Sequence, residues 1–191
     1  MAWRVALRPI ENADGRRDAY LDRAQRVALI AKSPPDIALF LTAMSLVPLR
    51  PGALACLKVS HFDKRLGVLT IGKDKAGRDR KVKLPPKTAE FFTEQAKDKL
   101  AAATLLVRAD GKDWHRDAWK KPVKAAVMEA GLPAATTAYA MRHSAITDLV
   151  TGGLDLLTVA QLSGTSVAMI EKHYGHLQAD HAAAALALLA L

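Results

Sequence analysis

The sequence predicts a mainly α-helical domain with a small antiparallel β-hairpin, an α+β class in which helices dominate. Three observations lead there. Alanine and leucine, both strong helix formers, recur along the chain. Apolar residues fall at helical spacing in successive segments closed by proline or glycine. One pair of strand-like runs, Val68 to Ile71 and Lys81 to Leu84, flanks a long basic loop.

Residues 1–17 lack periodicity and read as an arm or linker, with the domain proper from 18 to 191. A first helix starts after Asp22, which with Gln25 makes a capping box, and carries Ala24, Val27, Ala28 and Ala31 on one face. Pro34-Pro35 ends it, and a second apolar helix runs from about Asp36 to Leu46. Pro51 suits the first turn of a third, which puts Arg50 at a helix entrance that favours an anion. The hairpin loop follows, with six basic and two acidic residues between Gly72 and Lys83. Further helices are expected from about Thr88 to Lys99, from Trp114 to Ala130 with a kink or break at Pro122, and from Ala138 to Val150. Shorter ones are expected near Leu156 to Leu162 and Ser166 to Lys172, and a very apolar tail helix from about Asp180 to Leu191.

Composition narrows the partners. Half of the 191 residues are hydrophobic, enough for one sizeable core. Lysine plus arginine number 28 against 19 acidic residues, a net charge of +9 that points to a polyanion, DNA or RNA before a membrane surface. Cys56 is the single cysteine, so neither an intrachain disulfide nor a cysteine-based zinc site is expected. No Asp/Glu/His cluster has metal-ligand spacing, and no cofactor is expected. With no signal-peptide core and no spanning apolar stretch, the expected location is cytoplasmic.

The chemistry concentrates in three segments: Leu49-Arg50-Pro51-Gly52-Ala53-Leu54, Tyr139-Ala140-Met141-Arg142-His143-Ser144, and Lys172-His173-Tyr174-Gly175-His176. A phenol supplied with two guanidinium groups is equipped to attack a phosphodiester. The phenol is the nucleophile, and the arginines hold the non-bridging oxygens in a bidentate, permanently charged way. On a helix, Tyr139, Arg142 and His143 share a face, and Met141, Ala145 and Leu149 form a buried stripe. Each segment alone is weak; an amphipathic helix or a packed tyrosine explains any one of them. Specificity lies in their order, with a basic hairpin between the first two.

Together these segments resemble the catalytic domain of the tyrosine recombinases, the phage integrase family, over roughly residues 20 to 180. Arg50 falls in the first-arginine box, where Ala53 stands in place of the usual glutamate. Lys75 falls where the family keeps a β-hairpin lysine, and Met141-Arg142-His143-Ser144 matches the second-arginine box. Tyr174 follows Thr165 by nine residues and precedes Gly175-His176, as in family members. Two positions depart: Tyr139 and Thr165 stand where the family usually has histidine, and histidine or tryptophan. His143, His173 and His176 are the histidines near enough in sequence to supply proton transfer in their place.

The resemblance implies DNA strand cleavage by Tyr174 through a 3′-phosphotyrosyl link. Arg50 and Arg142 would stabilise the transition state, and Lys75 would protonate the leaving 5′-oxygen. It also implies a double-stranded DNA partner and self-association on DNA through the tail 180–191. Because Tyr139 and Thr165 replace proton carriers, a weakened or inactive DNA-binding module stands as the alternative. A type IB topoisomerase and a basic RNA-binding protein fit less well, the latter for want of an aromatic-rich strand motif.

Overall fold

The computed structural model describes residues 20–72 and 79–178, together with Ala187. Helix α1 (Arg23–Ala31) begins where the Asp22 carboxylate accepts from the Gln25 N–H at 2.8 Å and the Gln25 side chain accepts from the Asp22 N–H at 3.0 Å. Two backbone donors at a helix start are thereby satisfied. Helix α2 (Pro35–Leu46) carries proline in its first turn and buries Ile37, Phe40, Leu41, Ala43 and Met44. Helix α3 (Pro51–Ala55) has Pro51 at its first position and Arg50 at its N-cap, but runs only five residues. Arg50 thus stands at a helix entrance, as expected, and makes no side-chain cap bond.

A 3-10 turn at Val59–His61 leads into a three-stranded antiparallel sheet of order β1-β2-β3: β1 (Phe62–Asp63), β2 (Val68–Ile71) and β3 (Arg80–Lys83). Phe62 pairs with Leu69, and Leu69 with Val82. The hairpin follows the expectation to within a residue. Strand β1 was not foreseen, because two residues cannot display an alternation. Leu69 and Ile71 point into the core, whereas Lys81 and Lys83 are exposed on the edge strand, where charge discourages edge-to-edge pairing.

Helix α4 (Pro86–Ala96) starts and stops slightly before the expected span, and Asp98 beyond it takes a positive φ of 58°. Helix α5 (Lys120–Glu129) corrects the expectation of a helix from Trp114. Pro122 lies in its first turn, where the missing N–H leaves nothing unpaired, so the proline marks a start rather than a kink. Trp114 and Trp119 instead pack on the Phe40 ring, with centroids 5.3 and 5.4 Å away.

Helices α6 (Ala138–Thr151), α7 (Leu156–Ser163) and α8 (Val167–Tyr174) complete the fold, followed by a 3-10 turn at Gly175–Gln178. Asp155 caps α7 by accepting from the Thr158 N–H at 2.9 Å, and Ser166 caps α8 through the Met169 N–H. Helix α6 joins two clusters. Its first half puts Ala138, Ala140 and Met141 into the main core, while Ile146 and Val150 enter a smaller one with Val159, Ala160, Ile170 and Tyr174. It is buried on most sides, Arg142 and Ser144 included, and so is not the surface helix with a polar face that its polar residues alone suggest. The Ser144 hydroxyl is satisfied by donating to the Ala140 carbonyl and accepting from the Leu21 N–H, both at 2.8 Å.

The arm 1–17, Lys75 at the hairpin tip and the tail 180–191 (Ala187 apart) lie outside the described residues. Among the described residues no helix is long and apolar enough to cross a membrane, and no cluster of histidine, cysteine and carboxylate could hold a metal.

Candidate active site

Arg142 and His143 sit on α6 at the junction of the two clusters, a position dictated by the helical period that turns Met141 into one core and Ile146 into the other. Arg142 is 8% exposed. Its Nη1 donates to the Ser163 carbonyl at 2.8 Å and to the Pro48 carbonyl. Arg50, exposed at the head of α3, donates through Nη1 to the Gly164 carbonyl at 2.7 Å. The two arginines thus grip successive peptide units. Neighbouring carbonyls lie within about 5 Å on a chain of 3.8 Å Cα spacing, so the two Nη1 atoms fall on the order of 10 Å apart or closer.

Tyr174 ends α8, 9% exposed within the smaller core. Its hydroxyl lies 2.9 Å from His143 Nδ1, with ring centroids 5.1 Å apart and planes inclined by 35°. Burial pushes the phenol's pKa above the ordinary tyrosine value, while the Arg142 charge pulls the other way. Arg142 itself is lowered to about 10, first by burial and then by the neighbouring charge of Arg50, with Tyr174 and Tyr139 opposing. A buried cation repelled by a second one is a site prepared for an anion.

The Ser163–Gly164 backbone divides the surroundings. On one side Arg50, Arg80 and Thr165 line a cleft between α3, β3 and the α7–α8 connection. On the other, Tyr139, Arg142, His143, His173, Tyr174 and His176 line an adjoining cavity. Tyr139 is 43% exposed, Thr165 half-buried, and the His173 ring meets Tyr174 edge-on at 6.5 Å. Of the expected site residues, Arg142, Tyr174, Tyr139, His143, His173 and His176 therefore share one cavity, and Arg50 lines the other cleft while meeting the peptide unit next to the one that Arg142 holds. Thr165 faces the Arg50 side, and His176 is exposed at the cavity rim.

Sequence reasoning missed Arg80. It stands on β3, donates to the Gln161 carbonyl at 2.8 Å and crowds Gly164. Gly164 has φ +69°, the left-handed turn that ends α7 and presents its carbonyl to Arg50. The signal was the basic run of the hairpin, which could not say which of its cations turns inward.

The sequence matches the phage integrase family over residues 20–181. The tyrosine recombinase XerD of Ralstonia nicotianae is 26% identical over 170 residues, covering 82% of this chain and 55% of the relative. XerC of Rhodospirillum centenum is 34% identical over 80 residues, covering 42% and 24%. Among solved structures, the Tn1549 transposon integrase in complex with circular intermediate DNA superposes with a TM-score of 0.73 at 18% identity, over 90% of this chain and 67% of that one. The catalytic domain of bacteriophage HP1 integrase gives 0.65 at 18% identity, over 87% and 92%. The chain spans between about a quarter and about half the length of the curated relatives it matches. With the family matched over most of its length and the catalytic-domain fold shared with these structures, the chain belongs to the phage integrase family.

Proposed function

We propose that this chain is the catalytic domain, residues 18–191, of a tyrosine recombinase that cleaves and rejoins double-stranded DNA at specific sites through a 3′-phosphotyrosyl intermediate. The observation that carries the reading is the docking of Arg50 and Arg142 on successive carbonyls, with the Tyr174 phenol in the electrostatic reach of Arg142. A scissile phosphate held there would receive guanidinium donors on its non-bridging oxygens and stabilise the buried Arg142 charge. Tyr174 would attack phosphorus, and the 5′-oxygen would leave with a proton from Lys75. A 5′-hydroxyl from a second strand would reverse the step. The phosphodiester energy stays in the covalent link, so no nucleotide is consumed.

Tyr139 and Thr165 take the places of the usual proton carriers, and in this reading they donate hydrogen bonds to phosphate oxygens. The tail 180–191 would dock on a neighbouring subunit and tie assembly to cleavage. The DNA-bound state of the Tn1549 integrase supports duplex DNA as the partner, and the same reading keeps the chain in the cytoplasm beside that DNA.

A pool of nicked duplexes of randomised sequence tests the proposal, because loss of a short 5′ fragment traps the covalent adduct. Protein-linked DNA that survives denaturant is the expected result. Binding without any adduct would favour the inactive DNA-binding module.

A further inference from the structure

The attack requires the Tyr174 proton to go somewhere. Tyr174 packs into the small apolar core, and burial favours its neutral form, so the phenolate does not arise unaided near neutrality. Arg142 stabilises negative charge on the oxygen but has no lone pair to accept a proton. Tyr139 and Thr165 bring hydroxyls, which are no better as bases. His143 Nδ1 lies 2.9 Å from the hydroxyl, within reach for direct transfer.

We infer that His143 is the general base that takes the phenolic proton of Tyr174 as it attacks phosphorus; this rests on the strand-cleavage reading above and supplies the proton acceptor that reading leaves open. Nδ1 is then the unprotonated nitrogen of the resting imidazole, and Nε2 carries the hydrogen. The Oη–H bond breaks and its proton passes to Nδ1. The Oη–P bond forms as the P–O5′ bond breaks, and the leaving oxygen takes a proton from the separate donor, Lys75. In rejoining, the imidazolium returns its proton to Tyr174 as the phenolate leaves. The base and the acid of the cycle therefore act on different oxygens.

The surroundings couple this transfer to DNA. His143 meets Tyr174 of α8 and lines one cavity with Arg142 and Tyr139 of its own helix, His173 of α8, His176 of the turn that follows and Tyr20 ahead of α1. A phosphodiester bound at Arg142 would bring negative charge beside the imidazolium that the transfer creates. The base is thus effective with the substrate phosphate in place.

The test uses a nicked duplex that the full wild-type chain captures from the randomised pool, read as single-turnover adduct formation. Histidine titrates between about pH 5 and 8, so the wild-type rate is expected to rise with pH along an acid-side limb. His143→Gln keeps a hydrogen-bonding side chain but cannot take a proton there. It is expected to slow cleavage by about 10²-fold or more and to lose that limb. The same loss is expected on a duplex whose leaving 5′-oxygen is replaced by sulfur, which needs no proton, whereas the defect of Lys75→Ala shrinks on that substrate. Added imidazole is expected to restore cleavage to His143→Ala. A His143→Gln chain with wild-type rate and pH profile, a defect erased by the sulfur substrate, or failure of imidazole to rescue would each overturn the assignment. A wild-type chain that forms no adduct would instead overturn the strand-cleavage reading, and this inference with it.

Discussion

Gly164→Ala probes the ledge that both arginines share. Gly164 has φ +69°, and an added Cβ would lie 2.5 Å from Arg80 Nη2 and 2.6 Å from its Cζ. The guanidinium is the far end of a flexible side chain and swings aside, so the clash itself costs little. Two other costs remain. An alanine held in the left-handed region costs about 1–2 kcal/mol. Displacing Arg80 from the Gln161 carbonyl, an exposed bond of 2.8 Å, adds about 0.5–1 kcal/mol. The expected loss is therefore about 2 kcal/mol, a fall in Tm of roughly 4–8 °C for a domain of this size. Urea and thermal unfolding measure it, with Gly52→Ala as control. Gly52 lies in α3 with open space where its Cβ would stand, and alanine there is expected to be neutral or stabilising by up to about 1 kcal/mol. If Gly164→Ala unfolds within about 0.5 kcal/mol of wild type, the ledge is not held by the glycine turn and the reasoning fails.

Phosphate or sulfate, compared with chloride at equal ionic strength, is expected to raise Tm, reaching about 2.7 kcal/mol of stabilisation at a hundred times its dissociation constant; Arg50→Ala should abolish most of that gain. Ultraviolet titration is expected to show Tyr20 and Tyr174 ionising later than a free phenol, one held by its bond to Asp148 and the other by burial, and Tyr174→Phe should remove one late phase. Because the folded pKa of Tyr174 is raised, its contribution to stability is complete below about pH 10 and is lost as pH rises through the folded value. Wild type should therefore lose stability relative to Tyr174→Phe above about pH 10, and parallel stability curves there would contradict the burial argument. Tyr139→His, which returns a proton carrier to the second-arginine box, is expected to speed adduct formation by about tenfold or more; an unchanged rate would show that Tyr139 does not face the reacting phosphate.

Much of the fold was legible because local chemistry agreed with tertiary structure. Asp22 and Gln25 announced a helix start and Gly152-Gly153 an end, each through an interaction made within a few residues, and Val68 to Ile71 announced a strand that pairs with the next one along the chain. Where reading failed, the deciding partner was distant. Nothing near Trp114 says that its ring belongs against Phe40 instead of on a helix. Nothing in the hairpin says that Arg80 turns toward Gly164 while Lys81 stays in water. The site shows the same division. Motif order brought forward Arg50, Arg142 and Tyr174, but the burial of Arg142 and the meeting of His143 with Tyr174 across two helices are products of packing. Spacing alone treated His143, His173 and His176 alike, and only the fold separates the one at 2.9 Å from the others.

The central claim, that Tyr174 is the nucleophile of a DNA cleavage reaction, is tested most directly by locating the covalent bond. Adduct formed on a nicked duplex would be digested with protease and nuclease and the linked peptide sequenced by mass spectrometry, with Tyr174→Phe carried in parallel. The account predicts a nucleotide joined through its 3′-phosphate to the Tyr174 oxygen, and no adduct from the phenylalanine variant. Linkage to Tyr139 or Tyr20, linkage through a 5′-phosphate, or adduct persisting in Tyr174→Phe would contradict it.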